Sequence, residues 1–83
     1  HPGHVARSRM SRLPALTPRQ VVAALKKAGF EERRRRGSHV FLWHPDRGVV
    51  VTVPMHTNDL PRGTLKAIIN QSGIKEDEFQ TFL

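Results

Sequence analysis

The 83-residue chain predicts an α+β domain of two layers in the order α-β-β-β-α. Two helices cover one face of a three-stranded antiparallel sheet, and a short, marginal helix follows them. Three observations predict this. A full helix-start signal stands at Thr17-Pro18-Arg19-Gln20. Three strand-length runs are then separated by glycine- and proline-containing turns, and a second helical stripe stops at Gly73.

Residues 1–12 show neither a helical nor a strand period and hold few apolar side chains. They read as a flexible N-terminal arm, or as an extension in which Met10 is the natural start and residues 1–9 precede it. No role falls to His1 or His4, and the domain proper spans 13–83. Thr17 suits an N-cap, Pro18 the first helical position, and Gln20 completes a capping box. Leu16 and Val21 stand at the two positions of a hydrophobic staple, and Val21, Val22, Leu25 and Ala28 form the apolar stripe. Gly29 stops this helix, expected over 17–28, and Phe30 folds back on its last turn.

The runs from Phe30 to Arg36, His39 to His44 and Val49 to Val53 read as strands. Gly37-Ser38 and Pro45-Asp46-Arg47-Gly48 supply the turns, and Pro54 ends the third strand. Such short connections imply an antiparallel meander. Pro61 to Ser72 is the second helix, with Leu65, Ile68 and Ile69 on one face, Gly73 as its stop and Ile74 folding back. In the tail, Glu76, Asp77 and Glu78 suit a helix N-terminus, and Phe79, Phe82 and Leu83 offer a small apolar face.

Composition narrows the function. Fourteen Lys and Arg against seven Asp and Glu give a formal net charge of +7, and a positive field of this kind points to a polyanion such as nucleic acid. A chain this short buries only about 60% of its unfolded surface, too little to house a large substrate pocket. The absence of cysteine removes disulfides, zinc–thiolate sites, iron–sulfur clusters and thiol nucleophiles, and suits a reducing, cytoplasmic setting. No apolar run approaches the roughly 20 residues of a membrane helix. No small-molecule cofactor is expected.

Several chemistries can be weighed on the residues themselves. Alternation puts His39, Phe41 and Trp43 on one face of the second strand and Val40, Leu42 and His44 on the other. Which face the helices cover stays open, and either way apolar surface remains outside, for a partner or for stacked bases. His39 and His44 point to opposite sides, so they do not share a metal ion, and the converging carboxylates of a two-metal nuclease are missing. A Ser-His-Asp arrangement fails because adjacent Ser38 and His39 do not make the required hydrogen bond. RNA asks for less, since its 2′-hydroxyl is a built-in nucleophile. One well-placed imidazole can move the proton while cations stabilise the phosphorane. Arg33 to Arg36, immediately before Gly37-Ser38-His39, supply the cations, although strand alternation sends about half of them to each side. Their plain alternative is a solvated strand edge that discourages aggregation.

Together, Gly37-Ser38-His39, His44-Pro45, Val51-Thr52-Val53-Pro54 with His56, Gly63-Thr64-Leu65 and Ile68 to Ile74 resemble the HicA (YcfA-like) toxin family, in order and at compatible spacing from about Leu13 to Leu83. The resemblance implies a double-stranded-RNA-binding-domain-like fold. It also implies a ribosome-independent mRNA interferase that arrests translation, and a HicB-type antitoxin that covers the active site; the chemistry read from the residues makes the endoribonuclease metal-independent. The family's catalytic histidine falls on His39, as general acid or base. Arg34, Arg35, Arg36, Ser38 and Lys66 are then the RNA-binding candidates. Ser38 would hold His39 or donate to phosphate, and Lys66 would meet the backbone unless it is simply a solvated lysine. His44 and His56 fit better as residues that orient their turns. Many members carry a second histidine where this chain has Val40, and Phe41-Leu42-Trp43 is more apolar than the family pattern. The rival reading is a non-catalytic RNA-binding module of the same fold, which reads A-form shape.

Overall fold

Thr17 opens the first helix, α1 (Pro18–Lys27), through the expected reciprocal cap. Its Oγ1 accepts from the Gln20 N–H at 3.3 Å, and Gln20 Oε1 accepts from the Thr17 N–H at 2.8 Å. The computed structural model describes residues 13–55 and 58–83, so the expected N-terminal arm and His56 lie outside the described residues. At the far end of α1 the Gly29 N–H donates to Lys26 O at 3.0 Å and the Phe30 N–H to Leu25 O at 2.9 Å. This crossed pair is a Schellman closure, and it folds Phe30 into the core.

Gly29 is held there twice over. Its φ is +107°, and a Cβ at this position would stand 2.8 Å from His44 Nε2. Gly29→Ala is therefore expected to cost about 2–4 kcal/mol, combining positive-φ strain with overpacking. Gly37 also has a positive φ, but no described atom lies within 4 Å of its absent Cβ, so Gly37→Ala should lose only the strain component, about 1–2 kcal/mol. Thermal melting of the two variants side by side checks the difference.

Three antiparallel strands follow, β1 (Glu31–Arg36), β2 (His39–His44) and β3 (Val49–Pro54), in the spatial order β1-β2-β3. Arg36 pairs with His39 across the two-residue loop Gly37-Ser38, and Gly37 at φ +58° gives the II′ pattern that matches strand twist. The second loop is organised by His44. Its Nδ1 accepts from the backbone N–H groups of Asp46 at 3.2 Å and Arg47 at 3.3 Å, and its ring meets Phe30 edge-on at 5.1 Å.

The helices cover the face carrying Val40, Leu42, Val51 and Val53, all fully buried. Val21, Ala24 and Leu25 of α1 complete this core with Leu65, Ile68 and Ile69 of α2 (Arg62–Ser72). The open question of the faces is thus settled, with His39, Phe41 and Trp43 outside. The even split expected for the arginines is not found. The β1–β2 register shifts between Glu32 and Arg34, so Arg33 is the extra residue of a bulge and the alternation of β1 changes phase there.

The second helix begins after Pro61 without a side-chain cap and closes at Gly73, whose N–H donates to Asn70 O at 3.2 Å. Ile74 folds into the core as expected. Its N–H is taken by Ser72 Oγ at 3.1 Å, and that hydroxyl donates in turn to Ile69 O at 2.5 Å. The fully buried Ser72 thereby satisfies both a carbonyl and an amide at the helix end. Arg47 crosses above this end, its Nη1 3.3 Å from where a Cβ of Gly73 would stand. The last helix, α3 (Glu76–Gln80), carries three acidic residues in its first turn. Phe79 on it is fully buried and Phe82 packs against the core, whereas Leu83 stays 46% exposed and leaves the small apolar face expected of the tail. At the other end of the domain Leu13 and Leu16 join the core. The Leu60 N–H donates to Leu16 O at 2.8 Å, and the Arg62 guanidinium donates to Leu13 O.

Candidate nucleic-acid interface on the open face of the sheet

His39 is exposed at the first position of β2, one residue past a tight turn, and its ring has no hydrogen-bond partner among the described residues. Cross-strand pairing sets its neighbours. Arg36 lies opposite it on β1 and Pro54 on β3, while the next outward pair is Arg34 with Phe41. Two residues further on, Trp43 is flanked by Glu31 and Val50. One face of the sheet therefore carries an imidazole, two aromatic rings and the outward arginines of β1.

The bulge decides how many arginines these are. Arg33 lies over the Trp43 ring, its guanidinium carbon 4.8 Å from the centroid, and Arg34 lies over Phe41 at 5.8 Å. Two consecutive arginines thus share a face that regular alternation would have divided between them. With Arg36, three of the run's four guanidinium groups are outside. Arg35 pairs in register with buried Val40 and turns toward the helix side, 3.6 Å from Glu32, which also meets Lys26 at 3.8 Å. Both ion pairs are solvated and contribute little to stability.

The other candidates divide as follows. Ser38 is exposed in the turn beside His39, and its carbonyl accepts from the Met55 N–H at 2.5 Å, which ties the turn to the end of β3. Lys66 is not brought to this face. It projects from the solvent side of α2, whose buried stripe is Leu65, Ile68, Ile69 and Ser72. Its Nζ is 4.0 Å from Glu76 Oε2, and it lines a pocket of about 320 Å³ between α2 and α3. His44 works as the turn organiser its position beside Pro45 suggested. Arg33 is the residue that reading by alternation does not place on this face with Arg34. A run of four identical arginines carries no mark of where a bulge will fall.

No three histidine or acidic side chains converge among the described residues. No helix among them is long and apolar enough to cross a membrane. The chemistry this surface supports is that of one accessible imidazole beside a cationic, aromatic strip. No curated protein matches the chain. The family model described as the HicA toxin of bacterial toxin–antitoxin matches residues 18–74, from the start of α1 to the residue after the glycine that closes α2. That is well over half of the sequence, and the chain belongs to the HicA toxin family of bacterial toxin–antitoxin systems.

Proposed function

We propose that this toxin is an mRNA interferase, a metal-independent endoribonuclease that arrests translation in the cytoplasm and is held in check by a HicB-type antitoxin over the same face. The observation that carries the reading is the placement of His39: exposed, with no partner among the described residues, and directly across the strand pair from Arg36.

In the proposed reaction the RNA 2′-oxygen attacks the adjacent phosphorus. A 2′-O–P bond forms, the P–O5′ bond breaks, and one proton leaves the 2′-hydroxyl while another reaches the departing 5′-oxygen. His39 serves one of these transfers as general acid or base, a task open to an imidazole that is exposed and without a hydrogen-bond partner among the described residues. Arg36 and Arg34 stabilise the negative charge that grows on the phosphorane oxygens, and the Ser38 hydroxyl donates to phosphate. Arg35 and Lys66, turned elsewhere, act through the long-range field that draws RNA in.

The chemistry leaves a signature. Products are expected to carry a 2′,3′-cyclic phosphate or 3′-phosphate and a 5′-hydroxyl, with the rate unaffected by EDTA. End-group analysis of the fragments tests this, and cleavage lost in EDTA and restored by magnesium would refute it.

A further inference from the structure

Resting on that reading, we infer that Phe41 and Trp43 are a stacking platform for unpaired nucleotides beside the cut, so that the protein takes single-stranded RNA in preference to duplex. The strand sets the spacing. His39, Phe41 and Trp43 project from one face of β2 at every second residue, about 6.8 Å apart. That is roughly twice the 3.4 Å per nucleotide of a stacked strand. Bases that meet successive positions here must be drawn apart, which an extended, unpaired strand does without loss of pairing.

The chemistry matches the spacing. Each ring lies under its own guanidinium, Arg33 on Trp43 and Arg34 on Phe41. A base that slides onto a ring moves the cation toward the adjoining phosphate and exchanges one favourable contact for two. Val50, paired with Trp43 on β3, is 47% exposed and adds apolar area beside it. Glu31, on the other flank of Trp43, repels phosphate and marks the far limit of the strip, so the platform holds two nucleotides. A duplex needs cations spaced to span a groove, and Arg33, Arg34 and Arg36 instead follow a single strand.

Trp43 is the only tryptophan in the chain, so its emission reports directly on the platform. The experiment titrates the full-length His39→Ala protein with a short oligouridylate, alone and paired with its complement, following tryptophan fluorescence and the anisotropy of labelled RNA. Saturable quenching by the single strand is expected, with at least about tenfold weaker binding of the duplex. Trp43→Ala should weaken single-strand binding by about tenfold or more, and Trp43→Phe should retain most of it. Quenching needs no change at the ring, so it stands even if Trp43→Ala folds poorly. Absence of quenching, equal affinity for duplex, or a Trp43→Ala protein that binds RNA normally and loses only its antitoxin would each overturn the inference. Parallel assays of the wild type separate the two readings. Cleavage without quenching removes the platform and leaves the nuclease, whereas quenching without cleavage does the reverse.

Discussion

His39→Ala is expected to abolish growth arrest on induction and to lower RNA cleavage by about 10²–10⁴-fold, the range that a positioned acid or base contributes. Binding should survive, because the arginines and aromatic rings of the open face are untouched. Stability should survive as well. The ring is exposed and makes no hydrogen bond to a described residue, and surface changes of this kind usually stay within about 0.5 kcal/mol. Growth curves, a cleavage gel and RNA anisotropy on the two proteins give a clear division. Toxicity lost with binding kept supports the enzyme. Equal toxicity of the two proteins would instead favour the non-catalytic RNA-binding module, whose effect needs no proton transfer.

Phe79→Ala should produce the largest loss of stability, about 3–5 kcal/mol. The five-residue α3 has little stability of its own, since isolated helices that short do not persist in water. Its fully buried phenyl ring holds it to the core, and truncation removes that anchor while opening a cavity. Small domains have only about 5–15 kcal/mol in total, so the variant should be largely unfolded at moderate urea. Its melting temperature should fall by about 4–8 °C for each kcal/mol lost. Urea denaturation followed by circular dichroism measures the change. A loss below about 1 kcal/mol would show that α3 is dispensable to the fold.

The sequence is most legible where structure is set locally. The Thr17 cap, the Gly29–Phe30 closure and the two hairpin turns each depend on residues a few positions apart, and all are readable from the residues alone. The faces of β2 are not. Val40 and Leu42 alternate with Phe41 and Trp43, so both sides are apolar and hydrophobic pattern cannot choose between them; packing against the helices does. The same limit hid Arg33, because the bulge arises from how β1 pairs with β2. Phe79 was visible as an apolar residue in a weak helix, while its depth of burial is a tertiary fact. Ser72 looked like an ordinary polar residue near a helix end, and only the fold reveals it as a fully buried hydroxyl. Candidate site residues divided along the same line. His39 is singled out by its motif and its chemistry, whereas the separation of Arg35 from Arg34 and Arg36 depends on the register.

The two ends of the sheet are built to different tolerances. Where β2 ends and β3 begins, His44 is wedged against Gly29 and Phe30, and Arg47 is laid over Gly73, so a side chain added at Gly29 collides with its neighbour. The opposite end, with Gly37, Ser38 and His39, is a hairpin tip with open space around it. Exposed Ser38 and His39 can be replaced there at little cost to the scaffold, whereas Gly37 is kept by its positive φ. Selection is thereby free to vary the chemistry of this tip while the rest of the architecture stays fixed.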